Sequence, residues 1–158
     1  MYSDILVPVD GSEEVMSAVE HAFDHAERYD STVHALYVVD ESSSGSGLIG
    51  AESGSAMEEL RQKGERATDT IARRGRERDI DVTTAVRKGL PHRGILEYAD
   101  ENDIELLIMS SHGRSGMNRF LFGSVTERVL RITDRPVLVV SRLDSESEEK
   151  SESESDEK

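Results

Sequence analysis

Residues 104–124 read IELLIMSSHGRSGMNRFLFGS, a stretch that passes from an apolar strand through a glycine-rich loop to the start of a helix. The unbroken apolar run 106–109 predicts a strand buried on both faces, as in a parallel sheet covered by helices. Gly113 and Gly116 allow backbone N–H groups to approach a ligand, and the amides that open the next helix favour an anion. We interpret residues 110–124 as a phosphate-binding loop; the alternative is a glycine-rich surface turn with incidental arginines.

The charge distribution supports a phosphate site in this loop. The chain has 33 acidic and 19 basic residues, a formal net charge of -14. From Leu106 to Thr126 there is no Asp or Glu, and this segment contains His112, Arg114 and Arg119. A polyphosphate that approaches so acidic a protein therefore meets the least repulsion at this loop. The same net charge disfavours sequence-independent binding of nucleic acid.

Length and composition predict one compact domain followed by an acidic tail. The 158 residues include no cysteine, which excludes a disulfide framework or a thiolate metal site and is compatible with a reducing cytoplasm. The N-terminal segment has no basic region and only a short apolar run, so we expect neither a signal peptide nor a membrane span, and a cytoplasmic location. Residues 142–158 are almost entirely Ser, Glu, Asp and Lys, which predicts a disordered tail beyond a domain at 1–141.

Hydrophobic periodicity predicts five strands that alternate with four helices. The expected strands are 5–9, 32–39, 81–87, 104–109 and 136–140. The expected helices are 13–28 with Ser12 as N-cap, 56–78, a short one around 95–99, and 124–133. This alternation indicates an α/β fold, an open parallel sheet with helices on both faces. The alternating pattern of strand 81–87 places it at a sheet edge.

A second glycine-rich segment lies at 41–55 and contains a literal G-x-G-x-x-G at Gly45, Gly47 and Gly50. We do not interpret it as a dinucleotide fingerprint, because the glycines lie several residues beyond the strand and Asp69, at the expected acidic offset, falls inside a helix. A flexible inserted loop is the favoured interpretation.

Two residues at the predicted site have structural alternatives. Ser124 begins the sequence Ser-Val-Thr-Glu, a capping box in which its hydroxyl satisfies its own helix, and a backbone amide can still hold phosphate while the side chain caps. Asp10 follows the first strand and precedes Gly11, so it is either a turn former or a ligand at a strand end; we favour the ligand role.

Other polar groups have weaker claims. His21 and His25 have the spacing of a metal-binding pair on a helix, but no third ligand can be named, so a solvated helix face is favoured. The basic cluster of Arg87, Lys88 and Arg93 is either an auxiliary anion contact or a solvated turn.

Four separated blocks carry a family resemblance: ILVPVDGSE at the start, GLP before a helix, LIMSSHGRSG with MNRFLFGSVTERV, and RPVLVV at the end. Together they resemble the universal stress protein family over nearly the whole chain up to Ser141. The resemblance implies strand order 3-2-1-4-5 in a Rossmann-like fold and a homodimer that pairs the last strands. In one branch of the family it also implies ATP binding through a motif of the form G-x-x-G-x9-G-[S/T].

Here Gly113 matches the second glycine of that motif, Gly123-Ser124 completes it, and Ser110 replaces the first glycine. Serine keeps its backbone N–H, but its Cβ is able to crowd a phosphate or ribose. By the same resemblance Asp10 accepts from a ribose hydroxyl or holds Mg²⁺, and Val38 contacts adenine. The implied nucleotide-binding residues are Pro8, Val9, Asp10, Val38, Ser110, Gly113, Arg114, Gly116, Gly123, Ser124 and Val125.

The sequence contains no P-loop G-x-x-x-x-G-K-[S/T], no nucleophile elbow and no base that can be assigned to a bound phosphate. We therefore name no catalytic residue and expect weak ATPase activity at most, with ATP and Mg²⁺ as ligands of a stress-response sensor. The alternative is a non-nucleotide dimeric interaction module of the same fold, which Ser110 supports. A slow ATPase or nucleotidyl-transfer enzyme is a third class.

The surplus of carboxylates is matched by 15 Arg and only 4 Lys, a composition that resembles proteins of salt-loving organisms. We predict that the midpoint of thermal unfolding rises from dilute buffer to molar KCl, because salt screens the self-repulsion of the acidic chain and shortens the Debye length to about 3 Å at 1 M. Melting curves across a KCl series measure this. Equal stability in dilute and concentrated salt would contradict the halophilic interpretation.

Overall fold

The computed structural model describes residues 1–43, 51–111 and 122–141. Three features predicted from the sequence lie outside these ranges: the glycines of the literal G-x-G-x-x-G, the loop residues Gly113, Arg114 and Gly116, and the acidic tail 142–158. In the described ranges, no helix combines the length and the apolar character needed to cross a bilayer.

The elements alternate as the hydrophobic periodicity predicts. The strands are β1 (Asp4–Val9), β2 (Thr32–Asp40), β3 (Val82–Gly89), β4 (Leu106–Ser110) and β5 (Val137–Val140). The helices are α1 (Val15–Tyr29), α2 (Ala51–Glu77), α3 (Pro91–Glu101) and α4 (Ser124–Ile132), with a 3₁₀ turn at Glu41–Ser43. All strand pairs are parallel, in the order β3-β2-β1-β4-β5. The expected fold class and strand order are confirmed, and β3 lies at the predicted edge.

The two neighbours of β1 pair with it over different lengths. The pairing with β2 runs from Asp4 opposite Thr32 to Val9 opposite Tyr37. The pairing with β4 covers only residues 5 and 6, opposite 106 and 107. The strands β1 and β4 therefore separate before their carboxyl ends. This is the point at which the strand order reverses, where open α/β sheets form a crevice.

Both faces of the sheet are covered by helices, which explains the continuous apolar runs of the central strands. On one face α1 and α2 contribute Val19, Phe23 and Ile71 to a buried cluster with odd-numbered β1 residues. On the other face α3 and α4 contribute Ile95 and Val129 to a cluster with Leu6 and Leu107. The helices are thus held on a sheet whose carboxyl edge is left for the connecting loops.

A buried histidine ties the amino-terminal half of the sheet to α3. The ring of His34 in β2 lies between the Tyr98 hydroxyl and the Asp4 carboxylate, each 2.9 Å from a ring nitrogen. The guanidinium of Arg87 lies 4.9 Å from the centre of the Tyr98 ring and is hydrogen-bonded to Glu101. Burial raises the pKa of Tyr98 above its usual value, and the charge of Arg87 opposes this effect. The network therefore fixes α3 against β1, β2 and β3.

The expectation of a flexible inserted loop at 41–55 is wrong for its described parts. Glu41–Ser43 forms a 3₁₀ turn, and α2 begins at Ala51 instead of residue 56. Met57 and Leu60 pack on the core cluster and so stabilise this part of the helix. Adding turns to an existing helix costs far less than starting one, so the poor helix formers Ser53 and Gly54 are carried along.

The expected N-cap of α1 is also wrong. The helix starts after Glu14, which makes no side-chain cap. The hydroxyl of Ser12 instead donates to Asp10 Oδ1 at 2.5 Å, and the Ser12 N–H donates to the same oxygen at 2.9 Å. The Ser12 hydroxyl, which the sequence pattern assigns to the N-cap of α1, is therefore part of the turn that follows β1.

Close packing of α2 on β2 depends on Gly64. A Cβ at this position would lie 2.6 Å from Cδ1 and 2.9 Å from Cγ of Tyr37, whereas a Cβ at Gly54 in the same helix would meet nothing within 4 Å. We predict that Gly64→Ala lowers the free energy of unfolding by about 1–3 kcal/mol through overpacking. The matched control Gly54→Ala should raise it by up to about 1 kcal/mol through helix propensity. Urea unfolding measures both, and equal effects of the two substitutions would refute the close contact.

Candidate functional site

A cavity of about 320 Å³ opens at the carboxyl edge of the sheet, in the crevice between β1 and β4. Its walls come from the ends of β1, β2 and β4, from the first turns of α3 and α4, and from Leu60 of α2. The volume lies at the lower end of the range typical of small-molecule sites, roughly 300–1,000 Å³. The cavity therefore occupies the position where this fold class binds ligands.

All the predicted site residues that the structure describes line this cavity. They are Pro8, Val9, Asp10, Val38, Ser110, Gly123, Ser124 and Val125. They come from four elements and the loops beside them, and they are far apart in the chain. Gly113, Arg114 and Gly116 lie outside the described residues.

Two carboxylates line the cavity on the side of β1 and β2. Asp10 follows β1 and Asp40 is the last residue of β2, and each carboxylate accepts two hydrogen bonds from the serine two residues later. The bonds to Asp40 Oδ1 come from the N–H and hydroxyl of Ser42, at 2.9 and 2.6 Å. The turn-forming and cavity-lining roles of Asp10 therefore coexist. Carboxylate oxygens held in this way are suited to accept from a hydroxyl group or to coordinate a hard cation.

The start of α4 lines the cavity on the side of β4. Gly123 is the N-cap residue, no side chain caps the helix, and the Glu127 N–H donates to the Gly123 carbonyl at 3.0 Å. Ser124 is consequently the first helical residue, and the predicted capping box is wrong. The amides of residues 124–126 have no acceptor inside the helix, because the first amides of any α-helix lack one. Together with the helix dipole they favour a negative charge at this end.

The start of α4 is fixed to the end of β4 by two contacts. The hydroxyl of Thr126 donates to the Ser110 carbonyl at 2.9 Å. The Gly123 N–H donates to the Ser111 carbonyl at 2.8 Å, and the Ser111 N–H donates to Val140 of β5 at 2.9 Å. Ser111 and Gly123 are thus held together at the carboxyl edge of the sheet.

The remaining wall is apolar. A Cβ at Gly94 of α3 would lie 3.0 and 3.1 Å from the two methyl groups of Val38, so α3 packs directly against this side chain. Val38 then forms a continuous surface with Pro91 and Ile95, which also line the cavity. A flat apolar ring fits such a wall better than a charged group does.

Several lining residues escaped the sequence reasoning, among them Tyr37, Asp40 and Thr126. A signal existed for Asp40, because VDES at 39–42 repeats the pattern VDGS at 9–12 after a second strand. No local signal existed for Thr126, whose partner lies 16 residues earlier.

The basic cluster of residues 87, 88 and 93 lies outside the cavity lining. Arg87 is engaged by Glu101 and by the Tyr98 ring, and its hydrogen bond to Glu101 lowers the pKa of that carboxyl group. Arg87 therefore has a structural contact that neither sequence interpretation of the cluster included.

The histidine pair of α1 also has neighbours of its own. His25 Nδ1 lies 3.2 Å from the Ser31 hydroxyl, and its ring centre is 4.6 Å from that of Tyr29. Partial burial lowers the pKa of His25. In the described part of the chain, no group of three or more His, Cys, Asp or Glu side chains is placed to hold a metal ion.

Comparison with known proteins identifies the family. The model of the universal stress protein family matches residues 1–141. The chain belongs to the universal stress protein family. Universal stress protein MJ0531 of Methanocaldococcus jannaschii is 34% identical over 143 residues, which cover 90% of this chain and 84% of that protein. The predicted family membership is thereby confirmed.

Solved structures of family members agree with this fold. The structure of MJ0577, also from Methanocaldococcus jannaschii, has a TM-score of 0.83 at 29% identity and covers 92% of this chain and 99% of that one. Universal stress protein UspA from Lactobacillus plantarum has a TM-score of 0.73 at 28% identity, covering 88% of this chain and 97% of that one.

Proposed function

We propose that this universal stress protein binds ATP with Mg²⁺ in the cavity at the carboxyl edge of the sheet and uses the bound nucleotide to regulate a stress response. The observation that carries the proposal is the convergence of every described predicted residue on one cavity, which is lined by two carboxylates, by the first residues of α4 and by an apolar wall. The parts of a nucleotide match these features: a flat base suits the apolar wall, a hydroxylated sugar suits the carboxylates, and a polyphosphate suits the amides.

The polarity of the cavity sets the proposed orientation. The base lies against Val38, and the ribose lies beside Asp10, which accepts a hydrogen bond from a hydroxyl. The phosphates lie at the opposite end, toward the amides of Ser124 and Val125, where repulsion by the two carboxylates is weakest. Gly113, Arg114 and Gly116 complete the phosphate contacts in this proposal.

Mg²⁺ suits this arrangement, because it is usually held by one or two carboxylates together with substrate phosphates. Asp10 supplies such a hard oxygen at the cavity wall. When bound, the ion would neutralise part of the phosphate charge in a strongly acidic protein.

The replacement of the first motif glycine is compatible with ATP binding. Ser110 is the last residue of β4 and is paired with Val140 of β5, so its backbone is extended, a conformation that does not require glycine. The cost of the serine is therefore limited to the space that its side chain occupies.

Two more distant structures of the same fold hold an adenine nucleotide. One is a universal stress protein solved in complex with cAMP, and another is a family member from Arabidopsis thaliana with AMP bound. At 24% and 17% identity they are similar to this chain in fold, and the argument for the ligand rests on the cavity residues.

We propose that hydrolysis is slow at most. Rapid phosphoryl transfer needs a positioned base and cations around the transferred phosphate, and the sequence has no P-loop lysine. The Oδ1 atoms of both cavity carboxylates are already engaged by turns. A regulator that retains its nucleotide fits these groups better than an enzyme with rapid turnover. The second candidate, an interaction module that does not bind nucleotide, is favoured by the side chain of Ser110 alone.

We also propose a cytoplasmic homodimer that pairs β5 with its copy. β5 is one of the two edge strands; its Leu138 is 43% exposed, and Ile132 at the end of α4 is 62% exposed. An uncovered edge strand with apolar side chains is suited to pair with another chain.

Titration calorimetry of Mg²⁺-ATP at high salt tests the nucleotide site. We expect Asp10→Ala to weaken binding about 10- to 100-fold, since a hydrogen bond to a charged group contributes roughly 1.5–3 kcal/mol. Gly113→Val should weaken Mg²⁺-ATP binding as well, because the valine side chain would occupy space that the proposed phosphate contact needs. Asp69→Ala removes the same charge from the exposed side of α2 and should bind as the wild type does. The absence of both heat and a thermal shift in folded wild-type protein would favour the interaction module.

Sedimentation at high salt tests the dimer. We expect the wild type to sediment as a dimer and Leu138→Glu to sediment as a monomer, because the substitution places a charge at the proposed interface. Leu90→Glu is the matched control, since Leu90 is 42% exposed at the start of α3 and should leave the dimer intact. A monomeric wild type would count decisively against pairing through β5.

A further inference from the structure

The bond between Thr126 and Ser110 lies at the point where the sheet opens. The pairing of β1 with β4 ends at Leu107, and Ser110 lies three residues beyond it on the crevice side of the fold. There its carbonyl accepts from the Thr126 hydroxyl at 2.9 Å. A side chain of α4 thus bonds to β4 in the region where the ladder with β1 has stopped.

Thr126 is buried, which favours its hydrogen bond to Ser110. The residue is only 5% exposed, so bulk water cannot easily replace this bond if it is lost. Thr126 is also the third residue of α4, directly after the two residues whose amides are proposed to contact phosphate. Its bond therefore constrains both the distance and the rotation of the first helical turn relative to β4.

The frame behind this bond is anchored independently. Ser111 donates its N–H to Val140 of β5 and accepts from the Gly123 N–H with its carbonyl, so the end of β4 is held by β5 as well as by the residue that precedes α4. Without the hydroxyl of Thr126, the backbone contact at Gly123 and the buried Val129 still hold α4, but the side-chain bond that fixes its first turn to β4 is lost. The amides of Ser124 and Val125 would then lose their fixed direction toward the cavity.

We propose that Thr126 is a positioning residue for polyphosphate binding: through the Ser110 carbonyl, it orients the first turn of α4 so that its amides face the phosphate end of the cavity. This inference rests on the proposed nucleotide site. The proposed role affects the phosphates and not the rest of the ligand, because the base and ribose contact β1, β2 and α3 in the proposed site, and Thr126 holds none of these elements. Loss of the hydroxyl should therefore weaken ATP much more than adenosine.

The experiment compares Mg²⁺-ATP and adenosine titrations of the full-length wild type, Thr126→Val, Thr126→Ser and Thr68→Val. Valine keeps the shape of threonine and removes the hydroxyl, and serine keeps the hydroxyl. Thr68 is the matched control, because it is 2% exposed and also donates to backbone carbonyls, in α2 and outside the cavity lining. Thermal melts of all four proteins show that each is folded at the titration temperature.

We expect Thr126→Val to weaken ATP binding about tenfold, the effect of one well-placed hydrogen bond, and to change adenosine binding less than about twofold. Thr126→Ser should retain most of the ATP affinity, and Thr68→Val should leave both affinities unchanged although it lowers the melting temperature. This pattern would support the positioning role.

Three results would overturn the inference. The first is wild-type ATP affinity in folded Thr126→Val, and the second is an equal loss of ATP and adenosine affinity, which would mean a general loosening of the site. The third is a loss of ATP affinity in Thr126→Ser as large as that expected for valine, and this result remains decisive if the valine variant fails to fold. If the wild type binds neither ligand, the proposed function fails as well, which separates that failure from the other three.

Discussion

The early end of the pairing between β1 and β4 is the constraint on which the rest of this molecule depends. A parallel strand needs a crossover connection, and the reversal of strand order at β1 sends α1 and α2 to one face and α3 and α4 to the other. The four helices of the described residues therefore cover the two faces, and the crevice between β1 and β4 stays open. The cavity follows from the topology, and the side chains of the loops decide what it binds.

Negative and positive electrostatic features lie on different sides of the cavity. Asp10 follows β1 and Asp40 ends β2, whereas the amides at the start of α4 lie on the side of β4, and residues 106–126 contain no Asp or Glu. In a chain of net charge -14 this separation matters more than in a neutral protein, because an anion is repelled from most of the surface. In the proposed site, the attraction for an anion is therefore greatest at the start of α4, and the turns at Asp10 and Asp40 keep negative charge on the side of β1 and β2.

The element order and most of the core followed from hydrophobic periodicity, because strands buried on both faces read as continuous apolar runs, and the family resemblance supplied the strand order. The two helix caps were predicted wrongly. Ser12 and Ser124 both fit the pattern of an N-cap, but the Ser12 hydroxyl donates to Asp10, and the N-cap of α4 is Gly123. The site residues at strand ends were predictable, and Asp40 had a visible repeat. Tyr37 and Thr126 were not, because their places depend on contacts between distant segments.

Ser110 replaces the first glycine of the motif at a position where the backbone does not require glycine. A glycine is indispensable where the backbone needs a positive φ, as at Gly11 with φ of 79°, but Ser110 is in an extended strand. What its position contributes to the cavity is a main-chain geometry that is set by β5 on one side and by the Thr126 hydroxyl on the other. Because neighbouring elements hold that geometry, the side chain at this position is free to vary as long as it does not fill the space of the ligand. In the proposed nucleotide site, the elements that hold residues 110 and 124–126 would therefore matter more for binding than the identity of the first motif residue.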